Sequence, residues 1–174
     1  MEIGSFGFQK SLRRLETKLN KIEFLVGRLG NFVNNLAIRY RAEVIRRKYG
    51  FEDVRLGDVV VQGNVKIGKG TYINGGKIFS GANSRVIIGE NCNIGYNVWI
   101  GAVTHPKEAP TNVNLPRKEA DITVGNRAWI GINVVIREGV TIGDDAIIGA
   151  NSVVTHNVEK GQVVGGVPAR PLSG

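Results

Sequence analysis

The sequence predicts a mainly β fold, in which a coil of short parallel strands follows an N-terminal helical segment. Two changes of pattern along the chain support this prediction. Up to Tyr49 the apolar residues recur every three or four positions, which is the period of a helix. Beyond Gly50 they recur every six positions, and 19 of the 24 glycines lie in this part. We therefore predict a helical segment at residues 1–53 and a repeat domain at residues 54–174.

The helical segment carries one continuous apolar stripe. It runs from Leu12 to Tyr40 with spacings of alternately three and four residues, and helix is predicted from about residue 9 to residue 49. Gly27 and Gly30 each cost about 1 kcal/mol relative to alanine in a helix, so two helices are as well supported as one. The spacing permits a coiled coil, but we favour packing on the same domain or on a neighbouring subunit.

Most of the positive charge lies in the helical segment. Residues 1–50 contain 11 basic and 4 acidic side chains, whereas the rest of the chain, with 12 and 11, is nearly neutral. A run of basic residues is usually a solvated face, and contact between residues 1–50 and a membrane surface is a further hypothesis. Nucleic-acid binding is not expected.

Several absences narrow the class of protein. No apolar run approaches the roughly 20 residues that cross a membrane, and the N-terminus lacks the apolar core of a secretory signal. The single cysteine, Cys92, excludes an internal disulfide and a cysteine-rich zinc site. We expect a cytoplasmic protein without a metal centre, and a peripheral position at the inner membrane surface is a hypothesis.

The repeat domain has an aliphatic residue at every sixth position. Each hexad can form one flat side of a triangular coil with this side chain pointing inward, and three hexads close a rung of about 18 residues. The fourth residue after many of them is small or apolar, so Cys92, which occupies such a position, is predicted to pack in the core rather than to act as a nucleophile. The aliphatic positions are Val61, Ile67, Ile73, Ile88, Ile94, Ile100, Val124, Ile130, Ile136, Ile142, Ile148 and Val154.

Glycine directly follows most of these aliphatic residues, where the absence of Cβ should relieve crowding at the bend. Asparagine and aspartate also tolerate a left-handed backbone, and they occupy nearby positions at Asn91, Asn97, Asp144 and Asn151. The sequence therefore predicts tight corners throughout the repeat.

Two interruptions break the repeat. The 15 residues between Ile73 and Ile88 are not a multiple of six, so segment 79–85 should bulge from a corner. Between Ile100 and Val124 the phase is kept, but three prolines intervene, and we predict an extruded loop at 106–121.

His105 is the candidate catalytic residue, because it ends a hexad and opens the extruded loop. A neutral imidazole can accept a proton from a hydroxyl group near neutral pH. Glu108, Glu119 and Asp121 of the loop could orient this ring, or they could be solvated. The other histidine, His156, lies on a regular turn and is expected to be exposed.

Short strings in the repeat domain carry a resemblance to a known family. They read Ile-Gly-Glu-Asn-Cys at 88–92, Thr-His-Pro at 104–106, Val-Gly-Asn-Arg-Ala-Trp-Ile-Gly at 124–131 and Gly-Val-Pro-Ala-Arg at 166–170. With these strings, residues 86–172 resemble the hexapeptide-repeat acyltransferases, in particular the branch of maltose, galactoside and polysaccharide O-acetyltransferases. The resemblance implies a left-handed parallel β-helix, a homotrimer with active sites between subunits, and a sugar or polysaccharide acceptor.

The resemblance also implies roles for single residues. The histidine of the Thr-His-Pro string is the catalytic base of that family and corresponds to His105. The nearest match to the family's acceptor-binding asparagine is Asn74, with Tyr72 beside it. Acetyl-CoA is the implied co-substrate, with Trp129 against its pantetheine arm and Arg170 near phosphate. The residues that correspond to the coenzyme A groove are Trp129, Ala150, Thr155 and Arg170.

Other functions stay open at this point. An N-acetyltransferase of an amino sugar, perhaps one linked to a nucleotide, could use the same scaffold. A serine acetyltransferase has a longer N-terminal helical part than the fifty residues present here. A β-helical carbonic anhydrase needs three histidines for each zinc site, and this chain has two. A basic adaptor without enzymatic activity would bind through residues 1–50.

Overall fold

A computed structural model describes residues 4–106 and 116–172, with side chains from Thr17 onward. One helix precedes sixteen short strands in this part of the chain. The helix is α1 (Gly4–Tyr49), and the strands are β1 (Arg55–Gln62), β2 (Val65–Ile67), β3 (Tyr72–Phe79), β4 (Val86–Ile88), β5 (Asn93–Ile94), β6 (Val98–Gly101), β7 (Val103–Thr104), β8 (Lys118–Glu119), β9 (Ile122–Val124), β10 (Trp129–Ile130), β11 (Val135–Ile136), β12 (Thr141–Ile142), β13 (Ile147–Ile148), β14 (Val153–Val154), β15 (Val163–Gly166) and β16 (Ala169–Pro171).

The strands stack in three parallel ladders, which are the three faces of a coil. One face contains β2, β4, β9 and β12, the second contains β5, β10 and β13, and the third contains β6, β11 and β14. The long strand β3 crosses the corner between the second and third faces, because Tyr72–Ile73 pairs with β5 and Gly76–Phe79 pairs with β6. The predicted mainly β class, with a parallel β-helix behind an N-terminal helix, is confirmed.

The core is a column of aliphatic side chains along the axis of the coil. All twelve inward positions of the hexads are buried, and so are the small residues predicted between them, such as Cys92, Ala128 and Ser152. Stacked neighbours come from successive coils, as when Ile130 pairs with Ile94 on one side and with Ile148 on the other. The six-residue period therefore identifies the core, because each rung adds one aliphatic side chain from each face.

A residue with positive φ follows nine of the twelve inward positions by three residues. Asn91, Asn97 and Asn151 adopt φ angles of 54–59°, as expected for asparagine at a tight corner. The prediction of a left-handed backbone at Asp144 is wrong, because the positive φ belongs to Asp145. Asp144 instead accepts a hydrogen bond from the backbone N–H of Asn126. The corner asparagines also form a ladder, in which Asn133 links Asn97 and Asn151 through side-chain hydrogen bonds of 3.0 Å.

Six of the eight glycines after the inward residues are required by close stacking of coils, and this corrects the predicted reason. None of them has a positive φ. A Cβ added at Gly68 would lie 2.6 Å from the backbone of Gly89, and one at Gly131 would lie 2.7 Å from the backbone N of Ala150. A side chain here would push one coil off the next, so the absent Cβ sets the distance between coils.

The first interruption has two parts. Ile78 is a further inward residue that the sequence analysis missed, because the corner at Gly76 shortens the spacing from Ile73 to five residues. The bulge itself begins after Phe79, which belongs to β3 and not to the bulge as predicted. The second interruption, the predicted loop, is described only at its ends, since residues 107–115 lie outside the described part.

Helix α1 is continuous through Gly27 and Gly30, so the alternative of two helices is wrong. The chain forms two compact units, Met1–Tyr40 and Arg41–Gly174. Within the second unit, the last turns of α1 cover the first coil, where Ala42 is buried and the Tyr49 hydroxyl donates to the carbonyl oxygen of Val61 at 3.1 Å.

The chain leaves the coil through a hairpin. At the C-terminal end, β15 and β16 form an antiparallel hairpin that turns the chain away from the coil. In the part of the chain that the structure describes, no helix has the length and apolar character that a membrane crossing requires.

Two glycine substitutions test the stacking constraint. Gly68→Ala should destabilise the fold by about 1–3 kcal/mol, because its Cβ meets backbone that belongs to the next coil. Gly30→Ala in α1 has no atom within 4 Å of the added Cβ and should raise helix stability by about 1 kcal/mol. Denaturant unfolding followed by circular dichroism measures both. Equal effects of the two substitutions would contradict this account.

Candidate active site

A cavity of about 530 Å³ lies on the coil face where β1, β3, β6 and β11 stack. Each of these four strands comes from a different coil, so the cavity crosses four successive rungs. Its walls contain aromatic, cationic and polar side chains together with one histidine. The lining residues that matter below are Phe79, Trp99, His105, Arg117, Arg137 and Glu138.

His105 lies directly after β7, at the base of the extruded loop. Strands β7 and β8 pair in antiparallel fashion, which fixes the two ends of the loop beside the cavity. The ring atom Nδ1 lies 3.1 Å from the carbonyl oxygen of Pro116. A carbonyl can only accept a hydrogen bond, so Nδ1 carries the proton in this contact and Nε2 of the neutral ring is left as a proton acceptor.

Of the loop carboxylates, Glu119 and Asp121 bond to groups other than His105. Glu119 Oε2 accepts hydrogen bonds from the backbone N–H of Asn83 and from the Ser84 hydroxyl, and therefore ties β8 to the bulge. Asp121 accepts from the Arg85 guanidinium at 2.7 Å and from the Arg85 backbone. Glu108, the third carboxylate considered, lies outside the described residues. The ring is thus held by a backbone carbonyl, which the sequence could not indicate.

Aromatic rings form one wall of the cavity. Phe79 meets Trp99 edge to face, with ring centroids 4.8 Å apart, and the ammonium of Lys77 lies 5.4 Å from the Trp99 ring. Gly101 makes this pair possible, because a Cβ there would lie 2.5 Å from the Phe79 ring. Since 42% of the Trp99 surface is exposed, the wall offers apolar surface to a ligand beside His105.

A buried carboxylate also lines the cavity. The Glu138 side chain is only 6% exposed, and it pairs with Arg137 at 2.9 Å and with Lys118 of β8 at 3.5 Å. Burial alone would raise the pKa of Glu138, but the hydrogen bond from Arg137, a backbone hydrogen bond and the charges of Arg137 and Lys118 together lower it. Glu138 is therefore ionised and anchors the strand that ends the His105 loop.

The predicted acceptor residues lie together but outside this cavity. The Tyr72 hydroxyl donates a hydrogen bond to Asn74 Oδ1, and the Asn74 amide donates to the carbonyl oxygen of Ile94 at 3.4 Å. Both residues belong to the part of β3 before the corner, whereas Phe79 of the same strand reaches the cavity.

The predicted coenzyme A residues do not line this cavity, and they fall into two groups. The first group contains Trp129, which lies on β10 and is 59% exposed, and Ala150. Ala150 stacks against Gly131, which follows Trp129 by two residues. Arg170 lines a second cavity of about 420 Å³ together with His156. Thr155 lies beside this second cavity, because its hydroxyl oxygen is 2.9 Å from Nδ1 of His156.

Cys92 has the predicted packing role. The side chain is fully buried, and its thiol donates to the carbonyl oxygen of Gly125 at 3.1 Å. Burial raises the pKa of the thiol, which keeps it protonated and unreactive.

The sequence analysis missed Trp99, Arg117 and Glu138 as cavity residues. For Trp99 a signal was available, because a large aromatic residue directly before the inward Ile100 must point outward, six residues before His105. Glu138 gave no signal, since a carboxylate after a repeat strand is usually solvated.

Comparison with known proteins agrees with this architecture. The family model for bacterial transferase hexapeptides (six repeats) matches residues 121–156, and that for the hexapeptide repeat of succinyl-transferase matches residues 85–103. The chain is 39% identical to galactoside O-acetyltransferase of Escherichia coli (strain K12) over 109 residues, which are 63% of this chain and 53% of that protein. It is 35% identical to a Dictyostelium discoideum protein named as an acetyltransferase, over 95% of this chain and 76% of that protein.

Solved structures give the same result. A hexapeptide-repeat acetyltransferase from Vibrio cholerae O1 biovar eltor, complexed with acetyl coenzyme A, superposes with a TM-score of 0.61 at 30% identity and 76% coverage of both chains. The stacked hexads are the architecture of a β-helical transferase. The chain belongs to the hexapeptide-repeat acetyltransferase family, although it spans only about half the length of the galactoside enzyme.

Glu138→Gln tests the anchoring role of the buried carboxylate. At neutral pH the variant should be destabilised by about 1–3 kcal/mol, because an amide does not replace the charged partner of Arg137 and Lys118. Since folding lowers the pKa of Glu138, its contribution is present above the usual carboxyl pKa and is lost as the pH falls. The difference from wild type in denaturant midpoint should therefore shrink below about pH 4.5.

The matched control for this substitution is Glu159→Gln, which changes an exposed carboxylate outside the cavity. It should leave the midpoint nearly unchanged at every pH. A difference for Glu138→Gln that stays constant down to pH 3 would contradict the anchoring role.

Proposed function

We propose that the protein is an acetyl-CoA-dependent O-acetyltransferase that acts on a hydroxyl group of a sugar or polysaccharide, with His105 as the general base. The observation that carries the proposal is the contact between His105 Nδ1 and the Pro116 carbonyl oxygen at the edge of the 530 Å³ cavity. This contact fixes the tautomer whose Nε2 can take a proton. The cavity beside the ring has space for the sugar that accepts the acetyl group.

The residues that the resemblance assigns to coenzyme A suit that molecule chemically. Trp129 offers an exposed apolar ring for the pantetheine arm. The Arg170 guanidinium is exposed and has no carboxylate partner among the described residues, so it is available to a phosphate. When bound, acetyl-CoA supplies an activated acyl thioester.

A homotrimer with active sites between subunits fits the separation of the two sets of residues. His105 lies on one cavity of a chain, whereas Trp129 and Arg170 lie elsewhere on the same chain. A rotationally related copy would bring its coenzyme A residues to the neighbour's His105 and so complete the site.

The chemical role of His105 follows from its position. Nε2 removes the proton from the acceptor hydroxyl as the oxygen bonds to the acyl carbon, and the imidazolium then returns this proton to the departing sulfur. The acyl carbon–sulfur bond breaks, and free thiol and acetyl ester are the products. No covalent enzyme intermediate is required, because both reactants are held beside one base.

Trp99 is proposed to bind the acceptor. Its exposed ring and the edge of Phe79 line the same cavity as His105, and an aromatic face suits the apolar face of a sugar ring. Arg117 and Arg137, on the same cavity, can donate hydrogen bonds to the polar hydroxyl groups.

Replacing His105 by alanine should lower kcat by about 10²–10⁴-fold, because the proton acceptor is lost. Thiol release from acetyl-CoA in the presence of a panel of sugars measures the rate. The matched control is His156→Ala, which removes the other histidine; because this residue lies on the Arg170 cavity, the variant should retain most of kcat at saturating acetyl-CoA. An unchanged kcat in His105→Ala, with the fold intact, would refute the proposed base.

Two tryptophan substitutions should separate acceptor from donor binding. Trp99→Ala is expected to raise KM for the sugar about tenfold and to leave KM for acetyl-CoA unchanged, since its ring lines the His105 cavity. Trp129→Ala is expected to raise KM for acetyl-CoA and to leave KM for the sugar unchanged. The same pattern for both variants would contradict the assignment of the two surfaces.

The alternatives are outcomes of the same assays. Amine acceptors, including nucleotide-linked amino sugars, are tested beside the hydroxyl panel, and exclusive transfer to amines would replace the O-acetyl proposal. No transfer to any acceptor would favour the basic adaptor. A cytoplasmic location stays a prediction.

A further inference from the structure

Helix α1 carries a row of apolar side chains that nothing in the described structure covers. We call it the apolar seam. Every member is between 55% and 72% exposed, although side chains of this size are normally buried. The seam consists of Leu19, Ile22, Val26, Leu29, Val33, Leu36 and Tyr40.

The spacing of the seam identifies the kind of surface that it fits. Its members alternate three and four residues apart, which is a strict seven-residue repeat, and Leu12 and Leu15 continue it in the sequence. On a straight helix such a row drifts by about 20° per heptad, so over four heptads it winds around the helix. Only another helix that supercoils with it keeps such a seam covered along its length. A flat membrane surface would instead favour a period of 3.6.

The residues beside the seam fit a parallel partner with the same sequence. With Leu19 and Val26 at position a, Lys18 occupies position g and Glu23 the following position e. In a parallel coiled coil, g of one helix faces the next e of its neighbour, so Lys18 faces the opposite charge of Glu23. Lys21 and Arg28 lie at position c, away from the seam, where their charge stays solvated.

The width of the apolar surface favours three helices over two. Leu25 and Phe32, both at position g, are 61% and 64% exposed and extend the surface beyond positions a and d. A two-helix coil buries mainly a and d, whereas a bundle of more helices also covers one flanking position. We propose that the α1 helices of three copies of this chain form a parallel coiled coil along the apolar seam. This interface is additional to the repeat domain and does not depend on acetyl transfer.

Disulfide formation in the full-length protein tests the arrangement. Ile22→Cys and Leu36→Cys place a thiol at position d near either end of the seam, and the native Cys92 is buried and unreactive. After mild oxidation both variants should give covalently linked pairs on a non-reducing gel. Because one thiol in three has no partner, at most about two-thirds of the chains should be linked in a three-helix coil, and nearly all in a two-helix coil.

The control is Asn31→Cys, at position f on the opposite side of the helix, which should give less than about a tenth of that yield. In an antiparallel pair, residue 22 of one helix would not lie beside residue 22 of the other, and the same holds for residue 36. Absence of linkage in both d-position variants would therefore overturn the proposal. Linkage of nearly all chains would show a two-helix coil and contradict the proposed three.

A second pair of variants separates helix association from membrane binding. Val26→Asp/Val33→Asp should lower the helical signal in circular dichroism, whereas Asn20→Asp/Asn34→Asp, with the same added charge outside the seam, should not. Vesicles that contain phosphatidylserine are the membrane probe. Binding to them that is lost in the seam variant, together with absence of linkage at residues 22 and 36, would assign the seam to a lipid surface instead.

Discussion

The distance between stacked coils is the constraint on which the rest of the structure depends. Each coil bonds to the next through parallel backbone hydrogen bonds, and glycines such as Gly68 and Gly131 allow that approach because they carry no Cβ. The aliphatic column, the left-handed corners and the asparagine ladder through Asn133 all rely on the same register. The side-chain amides at the corners therefore bond to one another from coil to coil, at the same repeat distance at which the core side chains pack.

The column of inward side chains could be predicted from sequence because a six-residue period leaves few other folds open. Details at single corners could not. Ile78 was missed because Gly76 shortens one side to five residues, and Asp145 rather than Asp144 has the left-handed backbone. In both cases local backbone geometry, which residue type indicates only loosely, decides between neighbouring positions.

The candidate site could be predicted from the sequence only in part, for a different reason. His105 could be identified from its position at the start of the loop, but its partner is the carbonyl oxygen of Pro116, and every residue has a carbonyl. The cavity walls come from Phe79, Trp99 and Glu138, which are far apart in sequence. The corner at Gly76 and the bulge after Phe79 change the spacing between coils, so that Phe79 pairs with Gly101 and this step cannot be found by counting eighteen residues.

The cavity crosses β1, β3, β6 and β11, and this has a consequence for how such a chain can diverge. At about 4.8 Å between strands, the four rungs span about 14 Å of the axis. Inserting or deleting a whole turn among them would pull the histidine away from its aromatic wall. Turns after β14 carry none of the lining of this cavity, so added turns beyond β16 would leave the histidine and its aromatic wall in place, whereas loss of β16 would remove Arg170 and the second cavity.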